Sequence, residues 1–272
     1  MLDMKKFYGE GEEPLDRLVP DGGFTGIFRK IGCIGDSLSS GEFQLKNAEG
    51  NNTYHDMYEY SWGQYLARMA GTTALNFSRG GMTAKEYWDT FAGANGYWNA
   101  AAGCDAFIIA LGVNDINAIL GGKLPFGSLS DIREDPENNE KTFAGYYAAI
   151  IQRIQKTNPY APFFLMTLPR SDREAQDPEE RRTLREKHRE LLLQMAERFS
   201  HCYVLDFRKY APTYDEDFRR HFYLDGHMNP AGYLFTAKLV ASYIDYYVRT
   251  MPERFCQVAF AHSTMFHPDY YK

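Results

Sequence analysis

Long apolar runs are missing from this chain. No stretch approaches the roughly 18 apolar residues of a membrane span, and residues 1–20 are charged and polar where a secretion signal needs an apolar core. The expectation is therefore a cytoplasmic protein without a membrane partner. Excess positive charge is missing too: 36 acidic residues against 30 basic ones give a net charge of -6. That balance argues against nucleic acid or anionic lipid as a partner. Cysteine is scarce, with four residues (Cys33, Cys104, Cys202, Cys256) and no Cys-x-x-Cys pair. Neither a zinc site nor a disulfide framework is indicated, no cofactor is expected, and Cys33, Cys104 and Cys202 read as buried free thiols beside or within apolar runs. Internal repeats and low-complexity linkers are absent as well.

What is present is enough chain, 272 residues, to bury a full core. Strand-like and helix-like runs alternate, the pattern of a parallel sheet covered on both faces. The strands are expected at 29–34, 73–76, 106–111, 162–167 and 202–206. The helices are expected at 58–70, 83–91, 143–156, 178–199 and 230–249. The last helix has Asn229 as N-cap and Pro230 at its first position, and the one before it opens on Pro178 with Glu179 and Glu180 in its first turn. A single domain over 1–272 follows, with 1–28 an N-terminal extension and 251–272 an aromatic tail. Phe255, Phe260, Phe266, Tyr270 and Tyr271 would pack that tail on its own domain or, in a homo-oligomer, on a second subunit. Tyr and Phe, 20 and 19 in number, concentrate at 54–65, at 87–98 and in this tail, where some can line a pocket. Two polar stretches, 41–56 and 117–141, read as loops leaving strand ends.

Chemistry concentrates at the strand ends. The first apolar run stops at Gly35 and passes into Asp36-Ser37-Leu38-Ser39. Such a serine is often a turn or cap residue, but just past a buried strand its hydroxyl also stands where open α/β sheets bind ligands. The second run ends in Asn76-Phe77-Ser78-Arg79-Gly80-Gly81-Met82-Thr83, where glycine leaves a backbone N–H bare. The third ends in Gly112-Val113-Asn114-Asp115, and a carboxamide there can donate to an oxyanion. Near the end of the chain stands Asp225-Gly226-His227-Met228-Asn229-Pro230. A histidine beside a carboxylate can act as a general base. Asp36 and Asp115 read as carboxylates bracing their turns. The remaining histidines, His55, His188, His201, His221, His262 and His267, lack a neighbouring constellation and read as surface or core residues.

Together these four segments resemble the SGNH hydrolase family, the serine esterases also called GDSL lipases. The resemblance covers nearly the whole chain in the family's order: Gly35-Asp36-Ser37-Leu38, then Gly81, then Gly112-x-Asn114-Asp115, then His227. It implies a three-layer α/β/α sandwich, flavodoxin-like, with a mainly parallel five-stranded sheet. It also implies Ser37 as nucleophile, His227 as base, and an oxyanion hole from the N–H groups of Ser37 and Gly81 with the Asn114 side chain.

The chain departs from the family at one place. The family's aspartate stands three residues before the histidine, where this chain has Leu224, and Asp225 stands two before. Either Asp225 reaches the imidazole through a reshaped turn, or a backbone carbonyl, Asp215 or Asp217 orients the ring.

The expected activity is metal-independent hydrolysis of a small acyl ester, acetyl first, with a carbohydrate as candidate carrier. No strongly apolar lid follows Ser37, and the polar, aromatic-bearing stretch 41–56 suits sugar contact. The other expectation is a non-catalytic carbohydrate-binding or interaction protein on the same fold.

Overall fold

The computed structural model describes residues 9–101, 103–262 and 265–267. Its strands are β1 (Lys30–Gly35), β2 (Glu42–Lys46), β3 (Asn52–Asp56), β4 (Thr73–Ser78), β5 (Ala106–Ala110), β6 (Phe163–Met166) and β7 (Cys202–Leu205). Five of them form one sheet in the order β4-β1-β5-β6-β7, every pair parallel. The chain moves from β1 to β4 on one side, then returns to β5 on the other. The order therefore reverses at β1, and the crevice beside it is where such sheets bind ligands.

Register makes that crevice an even edge. Gly35 lies opposite Ser78 on one side and Ala110 on the other, so β4, β1 and β5 end side by side. The segments that follow them leave from one line.

Alternation along the strands builds the layers. Phe107, Ile109, Phe163 and Leu165 point to one face and pack with the helices Phe143–Thr157 and Glu179–Arg198. Ala106, Ile108, Phe164 and Leu205 point to the other and pack with Trp62–Ala70 and Pro230–Thr250. A parallel sheet buried on both faces needs such near-continuous apolar strands. The helices begin where the caps predict: Asn229 accepts from the Gly232 N–H, with Pro230 in the first turn, and Thr142 accepts from the Gly145 N–H. The result is the expected flavodoxin-like α/β/α sandwich.

The stretch 41–56 is not the loop its polarity predicts. β2 and β3 pair antiparallel, Glu42 opposite Asp56 and Gln44 opposite Tyr54. Polar residues dominate because one apolar side chain enters the core: Phe43 is buried between Tyr60 and Tyr233, while Glu42 and Gln44 lie on the opposite face. The turn closes on Asn47, whose Oδ1 accepts from the N–H groups of Glu49 and Asn51, with Gly50 at φ +81°. The stretch 117–141 likewise carries more order than a loop, with the end of the helix Val113–Leu120, two 3₁₀ turns, and Leu124 and Ile132 in the core.

In the C-terminal segment Phe255 packs against Phe28, Phe164 and Tyr203, and Phe266 stacks on Tyr160, whereas Phe260 is exposed. Tyr270 and Tyr271 lie outside the described residues. Cys33, Cys104 and Cys202 are buried and Cys256 is exposed. Among the described residues no helix is long and apolar enough to cross a membrane.

Candidate active site

β1 delivers Ser37 as the first residue of a one-turn helix, Ser37–Ser40. Asp36 caps it, its carboxylate accepting from the Leu38 N–H at 3.1 Å. The first N–H of a helix has no partner within it, so the Ser37 N–H is available to an anion. The turn is compact because Gly41, at φ +77°, returns its N–H to the Ser37 carbonyl.

The segments after β4 and β5 are bonded to each other. Gly81 holds φ +72° in the turn after β4, and the space a side chain would fill there is open. The next residue's carbonyl, that of Met82, accepts from Asn114 Nδ2 at 3.2 Å. Asp115 accepts from the Ala84 N–H at 2.8 Å. Two hydrogen bonds thus fasten the asparagine turn to the glycine turn, and both adjoin β1. A buried histidine supports the arrangement from below: the His188 Nε2–H donates to the Leu111 carbonyl at 3.0 Å. Gly112, at φ +147°, is needed beside it, since a Cβ would stand 2.3 Å from His188 Nε2.

Asp36 and Asp115 brace their turns, and both are removed from water. Burial pushes the Asp36 carboxyl up to about 6, against its bond from the Leu38 N–H. Burial pushes Asp115 up to about 7, the charge of Asp36 adding to the effect, and its Oδ2 has no hydrogen-bond partner.

His227 arrives from the other end of the chain, just ahead of the last helix, and its neighbours come from the hairpin. Its Nε2 lies 3.1 Å from Glu42 Oε1, and its Nδ1 3.2 Å from Gln44 Oε1. Tyr54 meets the ring edge-on, centroids 6.0 Å apart. Asp56, held by the Ser40 hydroxyl at 2.7 Å, adds a second negative charge nearby. Burial lowers the imidazole's pKa, and Asp56 opposes this. Burial raises Glu42, with Asp56 adding to it. The other Glu42 oxygen leans toward the glycine turn, where a Cβ on Gly80 would stand 2.2 Å from Oε2.

The structure therefore brings the Ser37, Gly81 and Asn114 turns to one edge and places His227 against β2. Among the described residues neither the Ser37 hydroxyl nor Asp225 hydrogen-bonds to His227. Asp225 is exposed; Asp215 caps its own helix at the Phe218 N–H, and Asp217 pairs with Arg220. Glu42, Gln44 and Asp56 are the residues that sequence reasoning missed. Their signal was period-two alternation around Phe43 and Leu45, followed by the Asn- and Gly-bearing turn at 47–51. Among the described residues no group of three or more His, Cys, Asp or Glu could hold a metal ion.

A parallel sheet that reverses order beside a serine-bearing turn defines a doubly wound α/β protein of the SGNH type. Residues 33–234 match the GDSL-like lipase/acylhydrolase family, and the chain belongs to that family. No curated protein matches its sequence. Among solved structures, a Lactobacillus plantarum protein is 18% identical, with a TM-score of 0.55 over 80% of this chain and 97% of that one. A family two carbohydrate esterase from Clostridium thermocellum, solved in complex with cellohexaose, is 15% identical, with a TM-score of 0.53 over 81% of this chain and 64% of that one. A family 2 carbohydrate esterase of Corynascus thermopiles (Myceliophthora fergusii), carrying a carbohydrate-binding domain, is 18% identical, with a TM-score of 0.51 over 80% and 66%. At these identities the likeness is one of fold.

Proposed function

We propose that the protein is a serine ester hydrolase acting on a small acyl ester, acetyl first, carried by a carbohydrate. The observation that carries this reading is the common edge at which β4, β1 and β5 end, with Asn114 and Asp115 bonded to the glycine turn. That common edge supports a hydroxyl and three candidate oxyanion donors meeting at one place. Support for a carbohydrate carrier comes from the polar hairpin, whose Tyr54 is exposed beside His227.

In this reading the Ser37 oxygen attacks the ester carbonyl carbon while His227 takes the hydroxyl proton. The N–H groups of Ser37 and Gly81 and the Asn114 carboxamide receive the oxyanion. Collapse breaks the bond to the alcohol, which leaves with the proton held by His227, and an acyl-serine remains. Water, deprotonated by His227, then releases the acid and restores Ser37. The Ser37–His227 contact has to form for these steps, and catalytic hydrogen bonds commonly tighten only with substrate in place.

The second reading is a carbohydrate-binding protein without catalysis. It is favoured by one observation, that both His227 nitrogens are engaged by the hairpin. Hydrolysis of p-nitrophenyl acetate, with acetate release from acetylated xylo-oligosaccharides, separates the two. Ser37→Ala is expected to lower kcat by about 10⁶-fold, the scale for a lost serine nucleophile. Equal turnover by wild type and variant removes Ser37 from the chemistry. A wild type inert on short and long esters, yet retaining the oligosaccharide, supports the second reading.

A further inference from the structure

We propose that Glu42, from β2, is the acid that positions His227, in the role the family gives to an aspartate three residues before the histidine. The inference rests on the esterase reading for its catalytic meaning, but its structural content stands apart from it. The acid expected from the sequence neighbourhood does not meet the ring, whereas Glu42 lies 3.1 Å from Nε2 and is itself largely buried, its side chain 14% exposed.

Three features place the Glu42 side chain at the ring. The Tyr233 hydroxyl donates to the Glu42 backbone carbonyl at 2.5 Å, fixing the strand at that residue to the last helix. That helix begins three residues after His227, so acid and base are anchored to the same element. Gly80 gives the other carboxylate oxygen room: an alanine Cβ would stand 2.2 Å from Oε2. Gln44, two residues along the same strand face, meets the second ring nitrogen.

The chemistry follows from the donor count. An imidazolium has two N–H donors, and here each points at an acceptor oxygen, one of them anionic. A neutral imidazole has one donor and gives it to the stronger acceptor, the Glu42 carboxylate. Nδ1 is then the basic nitrogen, and in this tautomer it has no proton to give the Gln44 oxygen beside it. It is the nitrogen that exchanges a proton with Ser37, and once protonated it can donate to the Gln44 oxygen. The charge developing on the ring during attack is met by Glu42 and, from β3, by Asp56.

Among the described residues, the charged or titratable groups facing the ring or the Glu42 carboxylate are Glu42 on β2, Asp56 and Tyr54 on β3, Asp36 after β1 and Tyr233 on the last helix. Glu42 is the one whose carboxylate reaches the ring nitrogen, so its removal makes a sharp test.

The test is NMR titration of the His227 imidazole, assigned by its disappearance in His227→Gln. Glu42→Gln, nearly isosteric, is expected to lower the imidazole pKa by about one unit or more, the scale for losing an opposite charge at contact distance. Glu42→Asp, which keeps the charge, restores part of the shift, as a structural role would not. Asp225→Asn leaves the titration in place. In parallel, Glu42→Gln lowers kcat by up to about 10⁴-fold, as for a triad acid, and moves the acid limb of the pH profile to lower pH. An unmoved imidazole in Glu42→Gln, or one moved instead by Asp225→Asn, overturns the proposal. A wild type without esterase activity overturns the esterase reading alone, because the titration does not depend on turnover.

Discussion

The two halves of the proposed site are built on different principles. The nucleophile half is sheet-made: three strands end in register, and two hydrogen bonds, Asn114 to Met82 and Asp115 to Ala84, fasten the turns that follow β4 and β5. The histidine half is surface-made. His227 sits in a turn ahead of the last helix and is held by side chains from a hairpin inserted 183 residues earlier in the chain. In the first half the backbone sets position and buried carboxylates brace it. In the second, position depends on side-chain contacts that a hairpin movement would break.

The largest test of this division asks whether the halves act as one unit. His227→Ala and Ser37→Ala should each lower kcat by about 10⁶-fold, and the double variant by no more than either alone. Multiplying losses would mean that the hairpin-held histidine and the sheet-held serine contribute separately, and the common mechanism would fall.

A second test probes the rigidity of the nucleophile half through Asp115. Its carboxyl is pushed up to about 7 in the folded protein, against about 3.8 in the unfolded chain. Between these values the folded state binds more protons than the unfolded state, so this group makes stability fall as pH rises through that window. Asp115→Asn keeps an oxygen for the Ala84 N–H and removes the ionisation. Its stability relative to wild type should therefore improve from pH 4 to pH 8, by up to about 4 kcal/mol at 1.36 kcal/mol per unit. Thermal unfolding of both proteins across that range reads the effect. A constant difference would mean that Asp115 ionises as freely folded as unfolded, and that the turn is wetter than its burial indicates.

The same division explains what was legible in the sequence. Ile31, Cys33 and Ile34 announce a buried strand, and a strand followed at once by Gly-Asp-Ser is a local pattern. Parallel pairing then aligns the ends, so the turns that carry Ser37, Gly80-Gly81 and Asn114 could be picked out from their own neighbourhoods, while the roles of Ser37, Gly81 and Asn114 came from the family resemblance. Asp225 was named by the same local logic, and the structure leaves it exposed. Glu42 could not be found that way. Its link to His227 joins β2 to a turn at the far end of the chain, and no short-range spacing records such a contact. The hairpin itself was hidden because its second face is covered through polar contacts: Phe43 is the one fully buried residue among Glu42–Lys46, and a strand polar elsewhere reads as a loop.

The smallest expected effect sharpens the weaker half. Gly226 has no left-handed backbone to protect, yet a Cβ there would stand 2.0 Å from Gln44 Oε1. The clash falls on the end of a flexible side chain, so Gly226→Ala should fold normally while turning the Gln44 amide away from His227 Nδ1. If the Gln44 oxygen accepts one hydrogen bond from the Nδ1–H of the imidazolium formed during attack, kcat/KM should drop by roughly 2- to 10-fold, the kinetic equivalent of about 0.5–1.5 kcal/mol. Unfolding temperature should be unchanged, and the loss should vanish in a Gln44→Ala background, where nothing remains to displace. A loss that persists there would place the effect in the 224–228 turn itself. The histidine would then be held by its own backbone, and the contrast between a sheet-made and a side-chain-made half would lessen.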